Sequence, residues 1–202
     1  ELANSIAGES AGGPAKVAVV ASGLVGSVTG STVANVYTTG QLSIPLMKQV
    51  GYRPSFSGAV EALASNGGQL MPPIMGAAAF LLASNAGVPY FEVMKASLIP
   101  ALLYFTTLIW FIHLEAKKQG LEGLMKGSTP KALSVLKQRG YLLAPLFLLI
   151  ILLARGYSPL LSGFYAIFLL IIVSWLRVET RINLNKFITA LEEGARNSVL
   201  II

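Results

Sequence analysis

The sequence predicts an all-α integral membrane protein, and three observations support that fold class. Hydrophobic residues make up 54% of the 202-residue chain and charged residues 12%, about half the charged fraction of an ordinary soluble domain. The mean hydropathy is +0.68. Five uncharged runs are close to or above the roughly 20 apolar residues that a membrane-spanning helix needs. They are residues 17–47, 62–91, 96–112, 140–154 and 156–176.

The net charge of +6 does not indicate a nucleic-acid-binding protein. The Lys and Arg residues cluster between the uncharged runs and are not interleaved with exposed aromatic residues, which is typical of membrane topology. The chain has no cysteine, so it offers neither disulfide nor thiolate chemistry. It does not begin with Met, and residues 1–14 lack the layout of a signal peptide, so we expect an internal fragment of a longer protein.

Residues 1–54 are predicted to form a short amphipathic lead-in helix, ending at a Gly-Gly-Pro breaker at 12–14, and then a helical hairpin. Lys16 and Lys48 bracket the first uncharged run, and the bias of Lys and Arg toward the cytoplasm puts both on one side. The 31 residues of 17–47 are too few for two spans, which need about 40. The run is therefore predicted to be a re-entrant hairpin. Its arms are residues 17–25 and 32–39, and its tip is residues 27–31.

Residues 55–114 are predicted to contain a broken transmembrane helix followed by a further span. The first helix breaks over 66–73, which read NGGQLMPP. Two adjacent prolines remove two backbone donors and disfavour helix at the residue before each. The helix resumes at Ile74, and a turn at 88–90 leads into a span over 91–114.

The last three segments alternate between charged and apolar composition. Residues 115–139 hold six basic residues against two acidic ones and are predicted to be a cytoplasmic loop. Residues 140–178 are predicted to be a transmembrane helical hairpin that turns at 155–157. Residues 179–202 are predicted to be an amphipathic helix that lies along an interface or braces another subunit. Its apolar positions are Leu184, Phe187, Ile188, Leu191, Ala195 and Val199.

Two stretches inside the apolar runs are rich in helix-breaking and polar residues, namely 22–40 and 67–73. An unpaired backbone N–H or C=O in hydrocarbon costs several kcal/mol, so irregular chain at that depth is buried in protein or lines a polar cavity. Transporter binding sites are built in this way. Close helix packing is the competing interpretation, since Gly26 and Gly30 form a GxxxG pattern.

The run GSVTGSTVANVYTTGQLSIPLMKQVGYRPSFSGAVEALASNGGQLMPPIMGAAAF, residues 26–80, resembles the large membrane subunit of tripartite ATP-independent periplasmic (TRAP) transporters. It is most similar to the branch with fused small and large subunits that works with TAXI-type binding proteins. The resemblance extends to HLEAKKQGLEGL at 113–124 and ALEEGARN at 190–197. It therefore covers most of the chain.

The resemblance implies a secondary transporter of elevator type in the bacterial or archaeal cytoplasmic (inner) membrane. Such a protein has two inverted repeats, each with a re-entrant hairpin and a broken helix. This chain would hold the first repeat and the start of the second, whose own hairpin is missing. Sodium typically drives uptake, and a periplasmic substrate-binding protein delivers a small organic anion, usually a carboxylate. A small membrane subunit, possibly fused in the full-length chain, is the other expected protein partner.

The resemblance also implies a sodium site made of oxygen ligands at the hairpin tip and the helix break, with no organic cofactor. Carried over by motif, the metal ligands are Ser27, Thr29, Gly30, Ser31, Asn35, Asn66, Gly67, Gly68 and Met71. The substrate carboxylate is expected at the start of the returning half-helix, where free N–H groups and the helix dipole favour an anion. The expected substrate-binding residues are Ser31, Thr32, Asn35 and Thr38. Thr38 is the weakest of these four, and its neighbour Thr39 is an equally weak candidate.

Two single ionisable residues have open interpretations. Glu61 is the only acid in the broken helix, about two turns before the break. An intramembrane acid is a functional hypothesis by default, so Glu61 is either a proton-sensitive group or brace, or an interfacial residue beside Arg53. A proton-coupled transporter of the same fold is the corresponding alternative function. His113, the sole histidine, is expected to cap a helix end at the interface.

The rival class is an intramembrane enzyme, and the sequence disfavours it. The chain has no Asp, no Cys and a single His, so aspartyl, thiol and HExxH zinc chemistries are excluded within these residues. A serine nucleophile at Ser27 or Ser31 would lack a nearby general base, because His113 is separated from both by a broken helix and a span. The glycine-rich run at 26–32 also lacks the Lys that a phosphate-binding P-loop requires.

Overall fold

The computed structural model describes residues 2–8, 10–121, 123, 132–176 and 180–199. Within those ranges the secondary structure is helical and contains no strand, which confirms the all-α prediction. The chain divides into two compact units, Glu1–Gln138 and Arg139–Ile202, and each is described by itself.

The first unit is built around three helices that pack closely on one another. The helices up to the unit boundary are α1 (Leu2–Ala7), α2 (Gly13–Thr29), α3 (Thr32–Gln49), α4 (Pro54–Gly68), α5 (Ala77–Ala86), α6 (Tyr90–Gln119) and α7 (Ala132–Arg139). The contacts among α2, α3 and α4 are the most extensive, and α6 packs against both α2 and α4. This arrangement places the hairpin α2–α3 directly against the first half of the broken helix.

The Gly-Gly-Pro sequence starts a helix, whereas the sequence had predicted that it would end one. Helix α1 ends earlier, at Ala7, and α2 begins at Gly13 with Pro14 in its first turn. Proline is well tolerated there because the first N–H groups of a helix have no intrahelical partner. Gly12 precedes the helix in the left-handed conformation, with φ of 71°.

The predicted helical hairpin is present, but its tip is shorter and its arms are longer. Helix α2 continues to Thr29, so that only Gly30 and Ser31 connect it to α3. Helix α3 continues through Pro45 to Gln49, well past the predicted end at residue 39. The break in the following helix is also present and lies three residues later than predicted, between Gly68 and Ala77, since Gly67 and Gly68 remain helical against close neighbours.

Helix α6 has 30 residues and is, among the described residues, the one helix long and apolar enough to cross a membrane. It extends beyond both ends of the predicted span at 91–114, so the predicted loop at 115–139 begins as helix. Part of that loop is α7, and Glu122, Lys126 and Lys131 lie outside the described residues. Four shorter apolar helices are Gly13–Thr29, Ala77–Ala86, Gly140–Ala154 and Pro159–Ser174.

The core of the first unit lies where α2, α3, α4 and α6 meet. Many of its members are small or slender, which lets the helices approach closely. The buried cluster comprises Ala15, Ala18, Val19, Met47, Tyr52, Val60, Ala64, Phe105, Leu108, Ile112 and Ala116. Ile112 and Ala116 of α6 are fully buried in it.

The second unit contains the predicted helical hairpin. A short 3-10 helix (Gly140–Leu143) leads into α8 (Ala144–Ala154), which packs against α9 (Pro159–Ser174). The predicted amphipathic helix is α10 (Leu184–Val199), and its apolar residues Phe187, Ile188 and Leu191 are exposed within the chain. Arg177 and Glu179, on the connection to α10, lie outside the described residues.

The position of Ile112 in the core predicts a large loss of stability for Ile112→Ala. Removing buried methyl groups from a packed core costs about 2–5 kcal/mol. Ile99→Ala is the matched control, because Ile99 lies on the same helix with 68% of its surface exposed. Thermal unfolding of the detergent-solubilised protein should show a lower Tm for Ile112→Ala alone. Equal shifts in the two variants would contradict the assigned core.

Tyr52, between α3 and α4, predicts a stability change at alkaline pH. Burial, with a smaller effect of the Glu115 charge, raises the pKa of its phenol to about 12. The unfolded chain loses this proton near pH 10 while the folded protein keeps it, so stability falls as pH rises from about 10 to about 12. Tyr52→Phe should remove that part of the slope of Tm against pH. A slope that stays the same in Tyr52→Phe would contradict this assignment.

Candidate functional site

The hairpin tip consists of Gly30 and Ser31, and each has a backbone conformation that favours a tight connection between helices. Gly30 ends α2 in the left-handed conformation, with φ of 61°, and its N–H donates to the Gly26 carbonyl at 2.9 Å. Ser31 is the N-cap of α3, and its hydroxyl accepts a hydrogen bond from the Ala34 N–H at 3.4 Å. The side chain therefore satisfies one of the free donors at a helix N-terminus.

The helix break lies against this tip. The Ile74 N–H donates to the Ser27 carbonyl at 3.0 Å, which joins the break to the end of α2 through backbone groups. Within the break, the Gly76 N–H donates to the Gln69 carbonyl at 2.9 Å. The Tyr90 hydroxyl lies within hydrogen-bond distance of the Pro73 carbonyl, at 3.1 Å, and of the Ile74 carbonyl. The irregular backbone is thus largely hydrogen-bonded inside the protein.

Two glycines permit the closest approach of hairpin and broken helix. A Cβ added to Gly26 would lie 2.5 Å from the Gly68 Cα, and one added to Gly68 would lie 2.7 Å from the Gly26 Cα. Both distances are far below van der Waals contact, so any larger residue would separate α2 from α4. A Cβ on Gly30 would similarly lie 2.0 Å from the Met75 carbonyl oxygen.

Asn35 lies at this glycine contact and is fully buried. Its Nδ2 donates to the Ser22 carbonyl at 2.8 Å, and the same nitrogen would be 2.9 Å from a Cβ on Gly26 and 3.2 Å from one on Gly68. Its Oδ1 accepts no hydrogen bond from any described residue. Buried amide oxygens are normally hydrogen-bonded, so this oxygen is a candidate cation ligand.

Only some of the other predicted metal ligands lie at the contact between the tip and the break. Gly68 and Asn35 come together beside Gly26, and Gly30 contacts the break separately, at Met75. Ser27 is buried nearby, but its hydroxyl donates to the Leu24 carbonyl at 2.8 Å. Thr29 and Asn66 are exposed.

The remaining predicted residues lie on either side of this contact. Gly67 is buried against Tyr104 of α6, and Met71 is partly buried against the core cluster. The Thr32 Oγ1 is buried and, like the Asn35 Oδ1, has no hydrogen-bond partner among the described residues. Thr38 is exposed, and its hydroxyl donates to the Ala34 carbonyl at 2.7 Å.

Glu61 occupies a separate cluster that the sequence did not predict. Its carboxylate accepts hydrogen bonds from Ser22 at 2.9 Å and Ser65 at 3.1 Å. The hydroxyls of Thr39 and Ser43 also donate to it. We call these four residues and Glu61 the hydroxyl cluster. All five are buried, and Glu61, Ser22 and Ser65 are 0% exposed.

This geometry excludes one interpretation of Glu61, that of an interfacial residue beside Arg53. Glu61 is fully buried, Arg53 is exposed, and no ion pair joins them among the described residues. A proton-sensitive or bracing role for Glu61 stays a prediction. Polar residues that recur every fourth position on two helices are the sequence signal that could have identified the hydroxyl cluster. Asn35, Thr39 and Ser43 share one face of α3, and Glu61 and Ser65 share one face of α4.

His113 is also placed differently from the expected interfacial cap. The Lys16 ammonium donates to its Nδ1 at 2.9 Å and to the Ser10 hydroxyl at 2.9 Å. An ammonium can only donate, so the Nδ1 is the acceptor. This bond ties the beginning of α2 to α6, away from the tip.

Comparisons with known proteins point to one family. The family described as "Tripartite ATP-independent periplasmic transporter, DctM component" matches residues 1–202. The chain is 27% identical to the sialic acid TRAP transporter large permease protein SiaM of Vibrio cholerae, over 99% of this chain and 46% of that protein. It is 28% identical to the C4-dicarboxylate TRAP transporter large permease protein DctM of Pseudomonas aeruginosa, over 78% of this chain and 36% of that protein.

A third relative is the isethionate TRAP transporter permease protein DctMQ of Oleidesulfovibrio alaskensis, 24% identical over 100% of this chain and 32% of that protein. The chain thus spans less than half the length of each of these three relatives. The names of these three relatives share the transporter type and differ in the compound named: sialic acid, C4-dicarboxylate or isethionate.

The glycine contact predicts that Gly68→Ala destabilises the first unit. The added methyl group must push α4 away from α2, and such overpacking costs about 1–3 kcal/mol. Gly58→Ala is the matched control, because Gly58 lies on the same helix with nothing within 4 Å of an added Cβ. Alanine there should be neutral or stabilise the helix by up to about 1 kcal/mol. Equal Tm values for the two variants would contradict the close approach.

Proposed function

Because the chain belongs to the DctM component family of tripartite ATP-independent periplasmic transporters, we propose that it forms part of the ion-binding half-site of a secondary transporter. The proposed transporter imports a small organic anion, and sodium is the proposed coupling ion. Membership in a permease family makes the chain part of a transporter and not an enzyme, so the intramembrane protease alternative is set aside.

The observation that carries the sodium proposal is the buried Asn35 amide. Its oxygen has no hydrogen-bond partner among the described residues and lies beside the contact of Gly26 and Gly68. Sodium is a hard cation that favours oxygen ligands, and unwound backbone near a helix end supplies carbonyl oxygens. The proposed first ligands are therefore the Asn35 Oδ1 and backbone carbonyls of the tip and the break.

The proposed substrate is a small organic anion, with a carboxylate as the preferred class. The relatives named above are transporters for sialic acid, C4-dicarboxylates and isethionate, so anionic character is the shared property. In this chain, the start of α3 offers a helix N-terminus with the Ser31 hydroxyl and a Thr32 hydroxyl that has no hydrogen-bond partner among the described residues. Both features favour a negatively charged group.

The proposed protein partners follow from membership in the family. We propose a periplasmic substrate-binding protein, of TAXI type by sequence resemblance, and a small membrane subunit that is separate or fused. We also propose a cytoplasmic (inner) membrane location and an elevator-type fold in which the hairpin α2–α3 is re-entrant. The two-residue tip packed against the break supports such a hairpin.

A proton-coupled transporter of the same fold is the second candidate. The observation that favours it is Glu61, a fully buried acid whose hydrogen bonds come from hydroxyl groups. Buried ionisable residues in membrane proteins commonly take part in proton movement.

Uptake by the full-length transporter with its binding protein, reconstituted in liposomes, tests the proposal. A sodium gradient should drive uptake, and Asn35→Ala should raise the half-saturating sodium concentration at least about tenfold, the loss expected for one good polar ligand. Asn85→Ala, at an exposed asparagine of α5, is the control and should behave as wild type. Uptake that ignores sodium, or follows a proton gradient instead, would overturn sodium coupling.

A further inference from the structure

Met75, in the helix break, has an unfavourable backbone conformation. Among the described residues it is the one residue other than glycine with a positive φ, at 56°, in the left-handed region that residues with side chains rarely adopt. Such a conformation persists only where the surrounding structure holds it, and it is found most often at functional sites. Met75 is buried, with 2% of its surface exposed. Its neighbours must therefore hold it in place.

Hydrogen bonds fix the peptide groups on both sides of Met75. On one side, the Ile74 carbonyl accepts a hydrogen bond from the Tyr90 hydroxyl. On the other side, the Gly76 N–H donates to the Gln69 carbonyl at 2.9 Å. Because a peptide group is planar, a hydrogen bond to one of its atoms orients the whole group. The two bonds together therefore restrict φ and ψ of Met75.

Tyr90, the first residue of α6, is well placed to hold the break. It is buried, and its ring stacks on Phe80 of α5, with ring centroids 4.4 Å apart and an interplanar angle of 10°. The stack fixes the direction of the hydroxyl, which also lies 3.1 Å from the Pro73 carbonyl oxygen. Among the described residues, Tyr90 is the one side chain that donates to carbonyls of the break.

The conformation of Met75 determines where its own carbonyl points. This carbonyl belongs to the same peptide group as the Gly76 N–H and lies against the hairpin tip, 2.0 Å from where a Cβ on Gly30 would be. It accepts no backbone hydrogen bond from the described residues. Buried carbonyl groups are normally hydrogen-bonded. Like the Asn35 Oδ1, the Met75 carbonyl oxygen is therefore available to a cation.

These two oxygens belong to residues that contact the same end of α2. Asn35 lies against Gly26, and the Met75 carbonyl lies against Gly30. The two glycines are four residues apart, and the Gly30 N–H donates to the Gly26 carbonyl. Positions with this spacing share one helix face and are one turn apart. The hairpin and the break thus each bring one oxygen without a hydrogen-bond partner to this face.

We propose that Tyr90 is a positioning residue for the coupling cation. Its hydroxyl holds Met75 in the left-handed conformation and thereby places the Met75 carbonyl as a cation ligand together with Asn35. This inference rests on the proposed function, in which Asn35 binds sodium. The same hydroxyl engages the Pro73 and Ile74 carbonyls, so they are not available as ligands. Tyr90 acts through the backbone of the break and does not touch the cation.

Sodium binding to the full-length permease in nanodiscs tests the inference. Tyr90→Phe keeps the ring and removes the hydroxyl, and it should raise the half-saturating sodium concentration about tenfold, the effect of losing one hydrogen bond. Tyr104→Phe is the matched control. It removes another phenol of α6 that donates to a backbone carbonyl, that of Leu63 at 2.9 Å in the regular part of α4. Both variants lose one bond, but the control should bind sodium as wild type does.

Cation selectivity gives a result that a loss of stability alone would not produce. Selectivity between cations of different size depends on the size, ligand number and flexibility of the site. Tyr90→Phe makes the break more flexible, so it should bring the half-saturating concentrations of sodium and lithium closer together. Tyr104→Phe should leave their ratio unchanged. An unchanged ratio in both variants, with equal sodium affinities, would overturn the inference.

A second substitution at Met75 tests how Tyr90 acts. Glycine adopts the left-handed conformation without strain, so Tyr90→Phe should have little effect on sodium binding in a Met75→Gly background. Met75→Asn keeps a side chain and also tolerates this conformation, so it should reduce the loss in part. Tm values of all variants confirm that each one folds. A tenfold loss that is the same in all three backgrounds would overturn the role of Met75.

Hydrogen exchange distinguishes failure of this inference from failure of sodium coupling. Without sodium, the amides of residues 69–76 should exchange faster in Tyr90→Phe than in Tyr104→Phe or the wild type. That result in a protein that binds no sodium would support the hold on Met75 and overturn sodium as the coupling ion. If sodium binds and Asn35→Ala weakens it, while Tyr90→Phe changes neither exchange nor affinity, this inference alone is overturned.

Discussion

The contact between Gly26 and Gly68 is the constraint on which the rest of the first unit depends. At this point α2 and α4 are separated by backbone atoms alone, because a Cβ on either glycine would overlap the other residue. The close approach brings the Ser27 carbonyl within reach of the Ile74 N–H. It also closes the space around Asn35. A hairpin tip and a helix break, each unfavourable in hydrocarbon, thereby satisfy part of each other's hydrogen bonding.

The buried polar residues form a second layer beside this contact, and its chemistry is unusual for the interior of a protein. A buried carboxylate is commonly stabilised by Lys or Arg. Glu61 is instead surrounded by the hydroxyls of Ser22, Thr39, Ser43 and Ser65. These donors come from all three packed helices, so the layer joins α2, α3 and α4 by hydrogen bonds where apolar side chains could only pack.

The sequence was sufficient to predict the helical class, the hairpin, the broken helix and the pair α8–α9. These predictions rest on composition, on long apolar runs and on adjacent prolines, which act locally. The exact ends were wrong because tertiary contacts decide them. Gly67 remains helical since it packs against Tyr104, and the tip is narrowed to two residues by the fit of Gly30 against Met75. Local propensity alone carries no information about such neighbours.

In the candidate site too, some features could be predicted from the sequence and others depend on tertiary contacts. Asn35 and Gly68 could be named from motif position, whereas the hydroxyl cluster could be found only by comparing spacings of four residues on two helices at once. Four hydroxyl donors satisfy the Glu61 carboxyl group through hydrogen bonds alone. Because a buried polar group without hydrogen-bond partners is costly in a low-dielectric interior, these donors are what allows Glu61 to be buried among α2, α3 and α4 without a basic partner among the described residues.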